Sequence, residues 1–277
     1  MIGAIASFST MAVAGREVAV ELDTFEIMMY RSLFGVVIVA GIGALAGTLH
    51  QINTQNMGLH AMRNLAHFTG QNLWFYAVTV IPLAQVFALE FTSPLWVIVL
   101  SPLILGERLT PMRAFAAIMG FIGILIVARP DIAGINSGVI TAASSAIFFA
   151  LTMMFTKRLT RSQSITCILF YLTTMQLVFG VVMAGYDGDI AVPTATALPF
   201  VLLIGAAGLL AHFCITNALA LAPATVVVPI DFIRLPAIAI IGMLLYGEAL
   251  DIWVFAGAAI IFTGNYLNIW SETRPKT

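Results

Sequence analysis

The chain has 277 residues, of which 61% are hydrophobic and 9% are charged, and its formal net charge is −1. A soluble domain carries about 25% charged residues, so this composition excludes an ordinary soluble protein, and the near-neutral charge offers no basic surface for nucleic acid. The two cysteines, Cys167 and Cys214, lie inside apolar runs without a CxxC pair. They are interpreted as small core residues, so we expect no disulfide, metal site, cofactor or thiol chemistry.

The first apolar stretch, residues 2–15, lacks the basic leading region and the small-residue cleavage site of a signal peptide. A membrane-spanning helix needs about 20 residues, and this stretch is shorter. Two alternatives remain open: the helix continues past Arg16 and Glu17 to Val20, or the natural chain begins upstream of Met1.

Apolar runs bounded by charged residues, glycine or proline predict ten transmembrane helices, so the expected fold is an all-α integral membrane protein. We expect a multi-pass protein of the cell (inner) membrane, embedded in the lipid bilayer as a monomer or homodimer and without a separate soluble domain. The predicted helices, numbered one to ten, cover residues 1–20, 24–47, 59–79, 82–104, 110–128, 135–156, 163–185, 195–220, 223–246 and 250–270.

The basic residues predict the orientation of these helices, because cytoplasmic loops of membrane proteins are enriched in lysine and arginine. With a cytoplasmic N-terminus, eight basic residues fall inside and only Arg16 and Arg129 fall outside. Both chain termini are therefore expected in the cytoplasm. The inside residues are Arg63, Arg108, Arg113, Lys157, Arg158, Arg161, Arg274 and Lys276.

The chain also contains an internal repeat at an offset of 141 residues. It predicts a first repeat over residues 1–130 and a second over residues 135–272. Because each repeat has five helices, an odd number, the second enters the membrane from the opposite side, as is typical of secondary carriers. The offset places Ala77 on Ala218, Pro82 on Pro223, Glu90 on Asp231, Phe91 on Phe232, and Gly106-Glu107 on Gly247-Glu248.

Several motifs arrive in order within the first repeat: AVTVIPLAQVFALE at residues 77–90, SPLW at 93–96, LGERLT at 105–110 and GFIGILIVARP at 120–130. This series resembles the EamA domain of the drug/metabolite transporter superfamily. The second repeat matches more loosely, with LYGEAL at residues 245–250 as its best piece.

The resemblance implies ten helices, cytoplasmic termini and a central cavity lined mainly by helices one, three, four, six, eight and nine. The short first helix is the departure from this pattern. Members of the superfamily move amino acids, nucleotide-like metabolites, vitamins and drugs. The resemblance therefore does not specify the substrate.

Charged side chains inside the membrane are costly, so each one is a candidate functional residue. Arg31 and Glu90 lie at similar depth in the outer half, where they could pair. Asp231 and Arg234 stand three residues apart on one face of the ninth helix, in the inner half. Two interpretations stay open: a buried ion pair that stabilises packing, or a site at which a zwitterion, a cation or a proton competes for the carboxylate.

Prolines interrupt the same two helices. Pro229 and Pro236 flank Asp231, so the ninth helix is expected to break there and to direct backbone carbonyls towards the cavity. Pro94 interrupts the fourth helix close to Glu90. These three prolines are the candidate gating residues.

Polar and aromatic side chains on the third helix form a second group of candidates. His67, Gln71 and Trp74 share one helical face, and such a face could stack on and hydrogen-bond a planar or cationic solute. The alternative is hydrogen bonding between helices around an aromatic core. The remaining candidates for substrate binding are Tyr76, Trp96, and His212 and Asn217, which the repeat offset aligns with Gln71 and Tyr76.

The combined features predict a secondary active transporter with alternating access, with protons as a possible coupling ion. The acidic and basic residues in the helices favour a small charged or zwitterionic organic metabolite, such as an amino acid or a methylated cation. A planar vitamin or nucleoside-like metabolite is the alternative substrate. A membrane-embedded enzyme is disfavoured because the chain has no HExxH or GxSxG motif.

Overall fold

The protein is built from α-helices, and the computed structural model describes residues 1–106, 110–128, 136–227, 230–231, 234–249 and 251–273. These residues contain no β-strand. A 3-10 turn at Leu49–Gln51 lies between the second and third helices. The helices are α1 Ile2–Val18, α2 Thr24–Leu45, α3 Met57–Val80, α4 Leu83–Glu90, α5 Ser93–Ile104, α6 Pro111–Ala128, α7 Ser137–Leu159, α8 Ile165–Ala184, α9 Leu198–Leu221, α10 Ala224–Val227, α11 Arg234–Tyr246 and α12 Ile252–Thr273.

The helices have the composition of membrane segments. Five stretches among the described residues are long and apolar enough to cross a bilayer, namely 24–45, 83–104, 137–159, 165–184 and 198–221. Large apolar side chains such as Leu45 (92% exposed) and Leu103 (83% exposed) face outward. Hydrocarbon rather than water is the solvent that suits such a surface.

The predicted fourth helix consists of two pieces in the structure. α4 ends at Glu90 and α5 begins at Ser93 with Pro94 in its first turn. Proline lacks an amide hydrogen and cannot continue the preceding helix, whereas it fits the first turn of a new one. The break therefore presents Glu90 at a helix end in the middle of the bundle.

The predicted ninth helix is interrupted in the corresponding place. α10 ends at Val227, Asp231 lies in a short 3-10 turn, and α11 begins at Arg234. Pro236 stands in the first turn of α11, while Pro229 lies outside the described residues. Both acidic residues of the bundle centre thus occur where a helix is interrupted.

Four pairs of helices make the most extensive contacts: α6 with α12, α3 with α7, α2 with α8, and α1 with α9. Each pair joins the first half of the chain to the second. The offset of 141 residues relates α1 to α7, α2 to α8, α3 to α9 and α6 to α12. The α3–α7 pair is therefore equivalent to the α9–α1 pair, and the α2–α8 and α6–α12 pairs each join a helix to its own counterpart. The packing thus has the pattern of a twofold repeat.

The α6–α12 pair approaches closely because it contains glycines at its contact. A Cβ atom at Gly123 would lie 2.7 Å from the backbone oxygen of Gly257 and 2.6 Å from Cγ1 of Ile261. Small residues at helix contacts allow this approach and the van der Waals packing that stabilises helix pairs in lipid.

Replacing Gly123 by alanine is expected to separate these helices, since a backbone oxygen cannot move aside as a flexible side chain can. Overpacking of this kind typically costs about 1–3 kcal/mol, so Gly123→Ala should lower the melting temperature of the purified protein. The matched control is Gly41→Ala in α2, where no atom lies within 4 Å of the added Cβ. A Gly123→Ala protein as stable as the Gly41→Ala protein would contradict the close contact.

Candidate functional site

A narrow cavity lies at the centre of the bundle. Its walls come from α1, α3, the α4–α5 break, α7, α9 and the α10–α11 break. These six elements correspond to the helices that the family resemblance implies as cavity walls. The free volume is about 50 Å³, whereas pockets that hold small organic ligands measure about 300–1,000 Å³. The cavity is therefore too narrow in this structure to hold such a ligand.

Three charged side chains meet at one end of the cavity. Nη2 of Arg234 lies 2.7 Å from Oε1 of Glu90 and 2.5 Å from Oδ2 of Asp231. The Arg234 side chain is 1% exposed and each carboxylate side chain is 13% exposed. With all three groups ionised, one positive charge faces two negative charges, so this end of the cavity carries a net charge of −1.

Aromatic rings surround the Arg234 guanidinium. Its central carbon lies 4.9 Å from the ring centre of Phe8, 4.6 Å from that of Phe87 and 5.4 Å from that of Phe91. A desolvated cation gains about 2 kcal/mol or more from an aromatic face. The indole nitrogen of Trp74 donates a 2.7 Å hydrogen bond to Oε2 of Glu90. Both ends of the Arg234–Glu90 pair are therefore held in place.

Some buried polar atoms around the cavity have no hydrogen-bond partner among the described residues. They include Oδ1 of Asp231, Nε2 of Gln71 and Nε of Arg234, all from residues that line the cavity. An unsatisfied buried polar group costs about 1–3 kcal/mol. Native proteins rarely leave such groups unpaired without a functional reason. Asp231 is thus available to accept a hydrogen bond from a solute, and Gln71 is available to donate one.

Two histidines form another part of the wall, with an arginine behind them. Nε2 of His67 lies 2.8 Å from Nε2 of His212, and Nη2 of Arg63 lies 3.4 Å from Nδ1 of His212. Because a guanidinium only donates hydrogen bonds, Nδ1 of His212 accepts, and its Nε2–H donates to Nε2 of His67. Arg63 itself is 1% exposed. This wall therefore has a positive group behind the histidine pair.

Sequence reasoning placed Arg63 among the cytoplasmic residues, and the structure corrects this, since Arg63 is buried within the bundle. Its Nη1 donates to Oδ1 of Asn64 at 2.8 Å and its Nε donates to Oγ1 of Thr156 at 3.2 Å. A sequence signal existed, because Arg63, His67 and Gln71 follow one another at intervals of four on one helical face.

Arg31 and Glu90, which could pair by their similar depth, do not contact each other in the structure, where Glu90 binds Arg234. Arg31 lies among α2, α8 and α9, where Nη1 contacts Sδ of Met28 at 3.4 Å. A Cβ at Gly208 would lie 2.7 Å from Nε of Arg31, so this glycine leaves room for the guanidinium. The physical reason is that α2 packs on α8 and α9, and Glu90 binds Arg234 instead.

Three further candidates lie away from the cavity. Tyr76 is 40% exposed and its hydroxyl contacts Oγ of Ser137 at 3.0 Å. Trp96 is 36% exposed and faces an outer groove between α5, α6 and α7. Asn217 donates at 2.8 Å to the carbonyl of Phe213 in its own helix. These three residues lie on faces of their helices that point away from the other candidates. The position of a residue along a helix does not reveal which face it occupies.

The remaining predicted binding residues do line the cavity, and the structure adds others that sequence reasoning missed. Seven of the predicted binding residues line it, together with Pro94: His67, Gln71, Trp74, Glu90, His212, Asp231 and Arg234. The missed residues are Phe8, Met11, Phe91, Ser93, Phe149, Thr152, Met153 and Ile215.

The repeat offset could have revealed two of the missed residues, Ile215 through Trp74 and Ser93 through Arg234. Six pairs of cavity residues are separated by 141 positions. The cavity therefore lies where the two halves of the chain contribute equivalent side chains. The pairs are Phe8 with Phe149, Met11 with Thr152, Gln71 with His212, Trp74 with Ile215, Glu90 with Asp231, and Ser93 with Arg234.

Comparison with known proteins gives consistent matches along the chain. The model of the EamA-like transporter family matches residues 1–129 and 136–270. An S-adenosylmethionine uptake transporter of Rickettsia bellii is 24% identical over 270 residues, covering 98% of this chain and 92% of that protein. A riboflavin transporter of Brucella anthropi is 33% identical over 218 residues, covering 76% and 75%. A solved crystal structure shares the fold with a TM-score of 0.76 at 16% identity, covering 98% and 95% of the two chains.

Proposed function

Because this chain belongs to the EamA-like transporter family and is a multi-pass protein of the inner membrane, we propose that it is a secondary carrier of a small zwitterionic or cationic organic metabolite. One observation carries the proposal. The central cavity places two carboxylates on a single arginine, and Oδ1 of Asp231 has no partner among the described residues.

The proposed topology has ten spans with both termini in the cytoplasm. α4 with α5, and α10 with α11, each cross the membrane as one broken helix. Residues 1–130 and 135–272 form two repeats of opposite orientation. The twofold pattern of helix pairs and the six equivalent pairs of cavity residues support this arrangement.

The proposed substrate lies between the two ends of the cavity. Its cationic group binds the free oxygen of Asp231, near Glu90, and its acceptor group binds Gln71 beside the histidine pair that Arg63 supports. S-adenosylmethionine, the solute in the name of the Rickettsia relative, combines a cation, a carboxylate and a planar ring. A proton would compete with the substrate cation for the same carboxylates, which provides for coupling to protons.

Transport then requires alternating access. The free volume of about 50 Å³ has no room for such a solute, so one end of the bundle must open to admit it. The helix breaks beside Pro94 and Pro236 interrupt the backbone hydrogen bonding at the cavity and are suitable hinge positions.

A planar vitamin is the second candidate substrate. Phe8, Trp74, Phe91 and Phe149 line the cavity, and aromatic faces of this kind stack on flat ring systems. The riboflavin transporter of Brucella anthropi is 33% identical to this chain. This candidate uses the aromatic walls and does not require the net negative charge.

A thermal-shift screen of the purified protein distinguishes the candidates, because a ligand that binds the folded state raises its melting temperature. The probes are S-adenosylmethionine, methionine, a methylated ammonium cation, riboflavin and adenosine. At 100 times its dissociation constant a ligand stabilises by about 2.7 kcal/mol. We expect a shift with a cationic or zwitterionic probe. A shift with riboflavin or adenosine alone would favour the second candidate, and a panel of cationic and zwitterionic probes without effect would contradict the main proposal.

A further inference from the structure

Arg16, near the C-terminal end of α1, connects the two halves of the chain at one end of the bundle. Its Nε donates at 2.7 Å to the carbonyl of Val78 and its Nη2 donates at 2.8 Å to that of Ile81. Its Nη1 lies 2.6 Å from Oε1 of Glu248. Glu248 also accepts from the backbone N–H of Leu83 at the start of α4. We call this set the Arg16 latch.

Lys157, near the C-terminal end of α7, makes the matching contacts elsewhere. Its Nζ donates at 2.6 Å to the carbonyl of Leu219 and at 2.9 Å to that of Ala222. These carbonyls belong to the C-terminal end of α9, where helix carbonyls lack partners within the helix and the helix dipole is negative. We call this set the Lys157 latch.

The two latches are the same device repeated. The offset of 141 residues converts Arg16 into Lys157, Val78 into Leu219 and Ile81 into Ala222. The cation and both carbonyl acceptors thus correspond, whereas Glu107, the counterpart of Glu248, lies outside the described residues. Both cations bind the last turn of the third helix of a repeat and the residue after it. The general hydrophobicity of the chain does not explain this correspondence, because it consists of specific hydrogen bonds from two long cationic side chains to equivalent backbone carbonyls.

The latches lie at opposite ends of the bundle. α3 and α7 pack antiparallel, since Arg63 contacts Thr156 near one end and Tyr76 contacts Ser137 near the other. The Arg16 latch is at the Tyr76 end and the Lys157 latch is at the Arg63 end. Since α3 has 24 residues, about 36 Å separate its ends. The cavity lies between them.

We propose that Arg16 and Lys157 are the two gates of the transport cycle, each sealing the cavity on its own side of the membrane and opening while the other stays closed. The proposal rests on the alternating access of the proposed function and not on the identity of the substrate. With both latches formed, the structure corresponds to a state in which neither gate is open.

The exposure of these groups separates the gates from the central ion pair. The side chains of Arg16 and Glu248 are 18% and 15% exposed, whereas that of Arg234 is 1% exposed. Water can therefore replace the contacts of Arg16 when the latch opens, so opening leaves no unpaired charge in an apolar interior. Water cannot replace the contacts of the buried Arg234 in the same way, so we expect Arg234 to keep its ion pairs throughout the transport cycle.

Cysteine labelling tests the gates without any substrate. The reporter is Ser93→Cys, a small change in the cavity wall, in a background with Cys167→Ala and Cys214→Ala. A membrane-impermeant thiol reagent is added to intact cells for the outer face and to inverted vesicles for the inner face. Arg16→Gln is expected to raise the labelling rate about tenfold from one face, the effect of losing one charge-assisted hydrogen bond. Lys157→Gln is expected to raise it from the opposite face.

Controls keep the outcome decisive. Arg158→Gln removes an exposed neighbouring charge and should leave both rates unchanged. Arg16→Lys replaces Arg16→Gln if that variant is too unstable to study. It retains the charge but not the forked geometry, so it should change the labelling rate in the same direction by a smaller factor. Equal increases from both faces, or no change from either face, would overturn the gates. Because no substrate is used, such a result would leave the assignment of the binding site untouched.

Discussion

Asp231→Asn is expected to reduce transport by about two orders of magnitude, since hydrogen bonds to charged groups contribute about 1.5–3 kcal/mol. The substitution keeps the size of the side chain and removes the charge of a cavity-lining carboxylate whose Oδ1 has no partner among the described residues. Arg234 retains its 2.7 Å contact with Glu90, so the protein should still fold. Initial transport rates in proteoliposomes measure the loss of transport, and the melting temperature measures whether the fold is retained.

The matched control is Asp187→Asn, the same chemical change in an exposed turn, which should transport like the unmodified protein. The two interpretations of the buried charges give different results here. A substrate site predicts lost transport with an intact fold. A purely structural ion pair predicts a lowered melting temperature and, where the protein survives, normal transport. Normal transport by the Asp231→Asn protein would contradict the binding role.

Arg234→Met is expected to produce the largest loss of stability in the chain. It leaves Glu90 and Asp231 buried close together without their shared cation, and removing one partner of a buried ion pair costs about 3–5 kcal/mol. The three aromatic rings around the guanidinium lose their cation as well. The melting temperature in detergent, or the folded yield if the protein is unstable, measures the effect.

Neutralising the carboxylates should reverse most of that loss. The triple variant Arg234→Met, Glu90→Gln, Asp231→Asn removes all three charges, and such replacements of buried ion networks are often close to neutral for stability. The triple variant should therefore be more stable than Arg234→Met alone, a strongly non-additive result, while remaining inactive. Arg158→Met at an exposed position serves as the control. An Arg234→Met protein as stable as this control would contradict the account of the central charges.

Much of the helical architecture follows from patterns that the chain displays directly. Hydropathy locates the helices because lipid requires long apolar segments with internally satisfied backbones. The prolines near Glu90 and Asp231 indicate the breaks, because a proline inside a helix lacks the amide hydrogen for the helical hydrogen bond and its ring clashes with the preceding turn. The spacing of Asp231 and Arg234 predicts their contact, which the structure shows at 2.5 Å.

The errors arise where neighbours across the bundle decide the outcome. Similar depth in the membrane suggests that Arg31 could form an ion pair with Glu90. Depth does not reveal which helices are in contact, however, and α2, which carries Arg31, packs on α8 and α9. Arg63 was assigned to the cytoplasmic side because charge counting assumes that basic residues near a helix end reach water. Tyr76 lies only two residues from Trp74, yet that spacing rotates it to another face of α3. The repeat offset, applied to the predicted residues Trp74 and Arg234, would have identified Ile215 and Ser93.

The most direct measurement of the central claim is solute counterflow in proteoliposomes. Vesicles preloaded with the best ligand from the thermal-shift screen receive a trace of the same ligand in radiolabelled form outside. A carrier whose central site alternates between the two faces predicts transient accumulation of label above its equilibrium level, and Asp231→Asn predicts none. Label that only equilibrates in vesicles containing the unmodified protein, without transient accumulation, would contradict alternating access through this cavity.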